Sequence, residues 1–232
     1  MLLSHSHHFI YTKTVKTAGT SVEIYFEDAC IPPGNSIVRG HRIGETVTSA
    51  GVIGYRGADT SGCAWYNHMP AKEIRELTGQ TIWNEYYKFC VVRNPFDKMV
   101  SLWWFINSKG DHRYEYEHFS KIKSDFSRWC VGHAPDAVDR DKYLIDGQVS
   151  MDYFIRYESL LDGLDRVCRQ VGYPFQPERL GKFKSDSRAI KQRFGDYYDR
   201  AAIAAVETAF GWELDYFGYP RLSEQYSPSK PE

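Results

Sequence analysis

Apolar residues fall into two alternating kinds of segment, short β-rich runs and longer stretches at helical spacing. His8 to Lys13 (HFIYTK) is the first β-rich run and predicts a strand. After a tight turn, Val22, Ile24, Tyr25 and Phe26 precede a Pro32-Pro33 stop, which predicts a helix capped by Thr20 or Ser21. Residues 86–93 (YYKFCVVR) form the most continuous apolar run and predict a buried strand. Asn94-Pro95 breaks it, and Pro95 opens a helix from about Phe96 to Asn107. A third strand is expected over 152–157 (DYFIRY). It runs into a helix with Leu160, Leu161, Leu164, Val167, Cys168 and Val171 on one stripe, ended by Gly172 and Pro174.

Further helices are expected from Pro70 through Leu77, with Gly79 beyond the end, from Phe119 through Cys130, and from about Tyr198 to Phe210. The glycine-rich stretch 40–66 has no period and reads as loop or irregular hairpin; 108–118 reads as a polar loop. Alternating strands and helices predict an α/β fold, a central parallel sheet covered on both faces, in three layers. One domain is expected over 1–222, and 223–232 as a disordered tail.

Composition narrows the function. Lys+Arg number 29 and Asp+Glu 30, a net charge of −1, which argues against binding a nucleic-acid polymer. With 42% hydrophobic and 16% aromatic residues, the chain is globular rather than disordered. No window has the roughly 18 apolar residues of a membrane span, and MLLSHSHHFIYT lacks the features of a signal peptide, so a cytoplasmic location is expected. The five cysteines, Cys30, Cys63, Cys90, Cys130 and Cys168, form an odd set without C-x-x-C and read as reduced thiols. His5, His7 and His8 read as a solvated run. Of Trp103, Trp104 and Phe105, two are expected to pack inward and one to line an acceptor cleft.

Two segments carry chemistry, each at a strand-to-helix turn. In the first, KTAGTS (Lys16, Thr17, Ala18, Gly19, Thr20, Ser21), small residues let backbone N–H groups close around a phosphate at a helix N-terminus, and Lys16 adds a charge. It is not the ATP- or GTP-binding pattern G-x-x-x-x-G-K-[ST], because Lys16 precedes Gly19. In the second, RNPFDKMVS, Arg93 ends a buried strand and Ser101 lies about two turns into the next helix; both can grip an anion. The plainer alternatives are a ligand-free turn and an Arg93 paired with a nearby carboxylate.

Taken together, YTKTVKTAGTSVE and FCVVRNPFDKMVSLWW resemble the donor-binding segments of sulfotransferases that use 3′-phosphoadenosine 5′-phosphosulfate (PAPS). The bacterial branch related to carbohydrate 2-O-sulfotransferases is the nearest in kind, with NHMPAKEIRELTG, YKFCVVRNP and FIRYESL in the same order. The resemblance implies a nucleoside-kinase-like fold with a P-loop-like phosphosulfate turn. It assigns Lys16, Thr17, Ala18, Gly19, Thr20 and Ser21 to the 5′-phosphosulfate and Arg93 and Ser101 to the 3′-phosphate. Lys184 and Arg188, in KFKSDSR, fall where relatives have a second donor-binding loop. Lys98 stands where relatives often carry Arg.

Sulfuryl transfer is an in-line displacement in which the protein positions groups and stabilises charge, here with Lys16 at the leaving oxygen. The acceptor hydroxyl also needs a base. His68, in WYNHMPAKEI, is the first candidate; His41 and the carboxylate of Glu45 remain open. No metal is called for. The acceptor is expected to be a glycan or glycoconjugate hydroxyl, with Tyr114 and Tyr116 as sugar-stacking candidates. An ATP-dependent kinase and a non-catalytic PAP- or PAPS-binding protein are the alternatives.

Overall fold

The computed structural model describes residues 1–35, 42–107, 118–181 and 192–225. In chain order the elements are β1 (Leu2–Ser4), β2 (Phe9–Tyr11), α1 (Gly19–Phe26), β3 (Thr46–Thr48), β4 (Gly51–Ile53), α2 (Ala71–Glu85), β5 (Tyr87–Val92), α3 (Pro95–Asn107), α4 (Phe119–His133), β6 (Leu144–Ile145), β7 (Gln148–Val149), β8 (Tyr153–Arg156), α5 (Leu160–Val171), α6 (Arg200–Ala209), α7 (Gly211–Phe217) and α8 (Leu222–Gln225). They form two compact units, Met1–Val92 with Asp139–Phe183, and Arg93–Val138 with Lys184–Glu232.

The first unit is built on a six-stranded sheet in the order β3-β4-β1-β2-β5-β8. Neighbours β2, β5 and β8 run parallel, whereas β1 is antiparallel to both β2 and β4, and β3 is antiparallel to β4. The expected parallel sheet is met by β2, β5 and β8, while β1, β3 and β4 make the whole sheet mixed. Connection length explains it: His5–His8 joins β1 to β2, far shorter than the dozen or so residues of a parallel crossover. The glycine-rich stretch supplies the β3–β4 hairpin.

On one face, Phe9, Tyr11, Phe89, Val91 and Ile155 pack against Val22, Tyr25 and Phe26 of α1 and Leu164, Val167 and Cys168 of α5. The other face is buried too, through Leu3, Ile10 and Cys90. There the Lys88 ammonium lies 5.8 Å from the Trp83 ring of α2 and 2.8 Å from Asp152. Gly79 has left-handed φ within α2 and kinks it, and the helix resumes to Glu85 rather than ending there as expected. His5 and His7 are not a solvated run: their Nδ1 atoms lie 2.7 Å from the Tyr86 hydroxyl and 3.1 Å from the Val171 carbonyl.

The second unit is helical with an aromatic core. Asn94 Oδ1 accepts the Phe96 N–H at 2.9 Å and so caps the start of α3. Trp103 and Trp104 are buried and Phe105 is partly exposed. The Phe126 ring of α4 meets Trp103 and Tyr198, and Trp104 Nε1 donates to the Tyr197 hydroxyl at 3.1 Å. Asp199 caps α6 by accepting the Ala202 N–H. Helix α7 was not legible beforehand, and α8 orders Leu222–Gln225, which corrects disorder starting at Ser223. All five cysteines are free, and four are buried. Among the described residues, no helix is long and apolar enough to cross a membrane.

Candidate functional site

The site grows from the carboxyl end of β2. Thr12 extends the ladder by donating its N–H to the Phe89 carbonyl at 3.1 Å, and the chain then turns back on itself towards α1. Thr14 Oγ1 donates to the Val91 carbonyl and lies 2.7 Å from Thr17 Oγ1. Asp139 Oδ2 accepts the Val15 N–H at 2.9 Å. Lys16 and Ala18 both hold left-handed φ, 60° and 59°, which costs non-glycine residues about 1–2 kcal/mol each. The turn is thus over-determined by hydrogen bonds that hold two strained residues in place.

Helix α1 begins earlier than the capping pattern predicts. Left-handed Ala18 occupies the N-cap, without a side-chain cap, and the Val22 N–H reaches its carbonyl at 3.1 Å. Thr20 and Ser21 are therefore not caps. With Gly19 they form the first turn, whose N–H groups have no intrahelical partner and face the favourable end of the helix dipole for an anion.

Lys13 crosses this first turn. A Cβ on Gly19 would lie 2.8 Å from Lys13 Cγ and 2.9 Å from Cε, so the absence of a side chain at position 19 clears its path. Lys13 Nζ ends 2.5 Å from Glu23 Oε2 and 3.4 Å from Thr20 Oγ1. Glu23 and Glu27 share a face of the α1 segment, and two arginines close on them. Arg42 Nη1 is 2.6 Å from Glu23 Oε1 and donates to the Gly54 carbonyl at 3.0 Å, while its Nη2 binds Glu27. Arg56 Nη2 is 2.6 Å from Glu27 Oε1. Burial alone would raise the Glu23 carboxyl, but the charges of Lys13, the Met1 α-amino group, Arg42 and Arg56 outweigh it and hold the group at about 2.

His68 approaches the same turn from the segment before α2, itself in a left-handed conformation with φ 58°. Its Nδ1 lies 3.0 Å from the Lys13 carbonyl. A carbonyl only accepts, so Nδ1 carries the hydrogen. Nε2 makes no hydrogen bond among the described residues and holds a lone pair. Burial, reinforced by the Lys13 charge and opposed by Asp139, pushes the ring down to about 4, so it is neutral near pH 7.

Lys16, Ala18, Gly19 and Thr20 lie together on the turn, with Lys16, Ala18 and Thr20 partly exposed. Thr17 and Ser21 are buried, and the Thr17 hydroxyl is engaged with Thr14. Arg93 directly follows β5 in the chain and belongs to the second unit. Its Nε and Nη2 lie 2.8 and 2.6 Å from Asp97 Oδ2, the carboxylate pairing that was the plainer alternative. Ser101 is partly exposed on α3, and buried Lys98 sits 5.5 Å from the Phe210 ring. Glu45 binds the Trp65 N–H through its carboxylate. Lys184, Arg188, His41, Tyr114 and Tyr116 lie outside the described residues. Sequence reasoning missed Lys13, Glu23 and Asp139. A charged Glu23 amid the apolar residues of α1 was the available signal; Asp139 gave none. Among the described residues no group of His, Cys, Asp or Glu is placed to hold a metal ion.

No protein-family model matches the chain. No solved structure matches it. It is similar to an uncharacterized protein of Archaeoglobus fulgidus, 28% identical over 109 residues that cover 46% of this chain and 84% of that protein.

Proposed function

We propose that the chain is a cytoplasmic sulfotransferase that moves the sulfuryl group of PAPS to an acceptor hydroxyl, on a carbohydrate, with the three-layer, nucleoside-kinase-like form that the resemblance implies. One observation supports the reading: the His68 imidazole is hydrogen-bonded through Nδ1 to the Lys13 carbonyl at the turn before α1, with Nε2 bare among the described residues. His68 takes the proton of the acceptor hydroxyl, whose oxygen forms the new S–O bond as the bond from sulfur to the 5′-phosphate oxygen breaks. Lys16 and the first-turn N–H groups of α1 offset the charge left on the departing bisphosphate. A base at about 4 is weak for neutral pH, and an anionic donor at the turn moves it towards the working range by favouring the imidazolium. Arg93, which pairs with Asp97 through Nε and Nη2, and Ser101 take the 3′-phosphate in the roles that the resemblance assigns.

Calorimetry with 3′,5′-bisphosphoadenosine, AMP and ATP tests the donor. At least about tenfold tighter binding of the bisphosphate is expected, a difference of about 1.4 kcal/mol; equal affinities would remove the 3′-phosphate role of Arg93 and Ser101. Labelled-sulfate transfer from PAPS to a panel of glycans, lipids and phenols tests the acceptor. His68→Ala should retain bisphosphate binding and lose transfer by about 10²–10⁴-fold, and full transfer would exclude it as the base.

A further inference from the structure

We propose that Lys13, which no motif assigned, is a positioning residue for His68: its carbonyl fixes the ring with Nε2 bare, and its buried ammonium keeps a positive charge within electrostatic reach of that ring. The inference rests on the sulfotransferase reading for its catalytic meaning, but not for its geometry. Lys13 is held at both ends. The carbonyl receives the Nδ1–H at 3.0 Å, and the ammonium sits on Glu23 at 2.5 Å, with its stem seated over Gly19. A shift at either end is transmitted through one residue to the other.

Among the described residues, Glu23 and Glu27 meet three cationic side chains, Lys13, Arg42 and Arg56. The groups acting electrostatically on His68 are Lys13, the Met1 α-amino group on the β1 side and Asp139. Lys13 and the amine oppose protonation and Asp139 favours it, while Asp139 also holds the Val15 N–H two residues along the turn. The base thus lies between a cation and an anion fixed to the same short stretch of backbone.

The opposed signs supply the test. Lys13→Met keeps an unbranched stem over Gly19 and leaves Arg42 and Arg56 on the two carboxylates, so it should fold. Asp139→Asn keeps an oxygen acceptor for Val15. In the full chain, NMR titration of the His68 imidazole, assigned by its loss in His68→Gln, should move up by at least about half a pH unit in Lys13→Met and down in Asp139→Asn, with Lys13→Arg restoring the parent value. The acid limb of kcat/KM for transfer should move with it. Loosening of structure alone cannot give shifts of opposite sign. An unmoved His68 titration in folded Lys13→Met, or movement of both variants in one direction, overturns the proposal. If Lys13→Met does not fold, Asp139→Asn decides: no downward movement overturns it. Opposed shifts in a chain that neither binds the bisphosphate nor transfers sulfate would uphold the Lys13–His68 coupling and sink the sulfotransferase reading.

Discussion

Lys13 reaches Glu23 only because position 19 carries no Cβ, so Gly19→Ala is a direct probe of that path. The added methyl meets a lysine stem whose far end is pinned, and overpacking of this kind costs about 1–3 kcal/mol, to be read as a lower urea midpoint. An unchanged midpoint would mean that Lys13 finds another way to its partner. The contrast between Gly19 and Lys13 shows what was legible at this scale. KTAGTS and His68 carry their chemistry in local spelling, and the helix dipole gives the turn a reason to hold an anion. Lys13, Glu23 and Asp139 act through contacts between distant parts of the chain, and Asp139 meets Val15 across more than half its length. The side chains of Thr17 and Ser21, assigned to the donor by the resemblance, are buried: the Thr17 hydroxyl is held by Thr14 before the helix begins, and Ser21 lies on the packed side of α1.

Helix α5 lies on the sheet with Gly163 at the contact, where a Cβ would come within 2.5 Å of Ile155 Cγ2. Gly163→Ala should force helix and strand apart and lower stability by about 1–3 kcal/mol, while leaving the His68 titration where it is. An unchanged midpoint would show that α5 can slide to admit the methyl. Elements with a sustained pattern were read correctly: β5 by an apolar run interrupted only at Lys88 and α5 by its single stripe. Those that escaped are short. A three-residue strand such as β1 shows less than two periods of alternation, and its antiparallel pairing is dictated by a connection length. Helix α7 follows α6 with only Phe210 between them, and Gly211 reads as punctuation although it opens the next helix.

For the molecule as a whole, burial of titratable groups sets an acid limit. His68 binds its proton at about 4 when folded against an ordinary 6.5, so between these values the unfolded chain takes up more protons and stability falls as pH falls. Glu23 adds a lower window: its contribution is complete above 4.5 and is lost as pH drops towards about 2. Urea midpoints followed against pH should decline through both windows, and His68→Gln should flatten the upper one; parallel curves for the two chains would remove His68 from the balance. The overall charge of −1 conceals this arrangement, because Lys13 and Arg42 are buried against Glu23 and Glu27 rather than spread over the surface. The chain also crosses between the two compact units three times, so neither is a contiguous stretch. During synthesis β5 emerges long before β8, its parallel neighbour, and at ~5–20 residues per second the ribosome needs some seconds to deliver it. For that interval the β8 side of β5 is open, an unpaired edge that the nascent chain exposes until β8 and α5 arrive to close it.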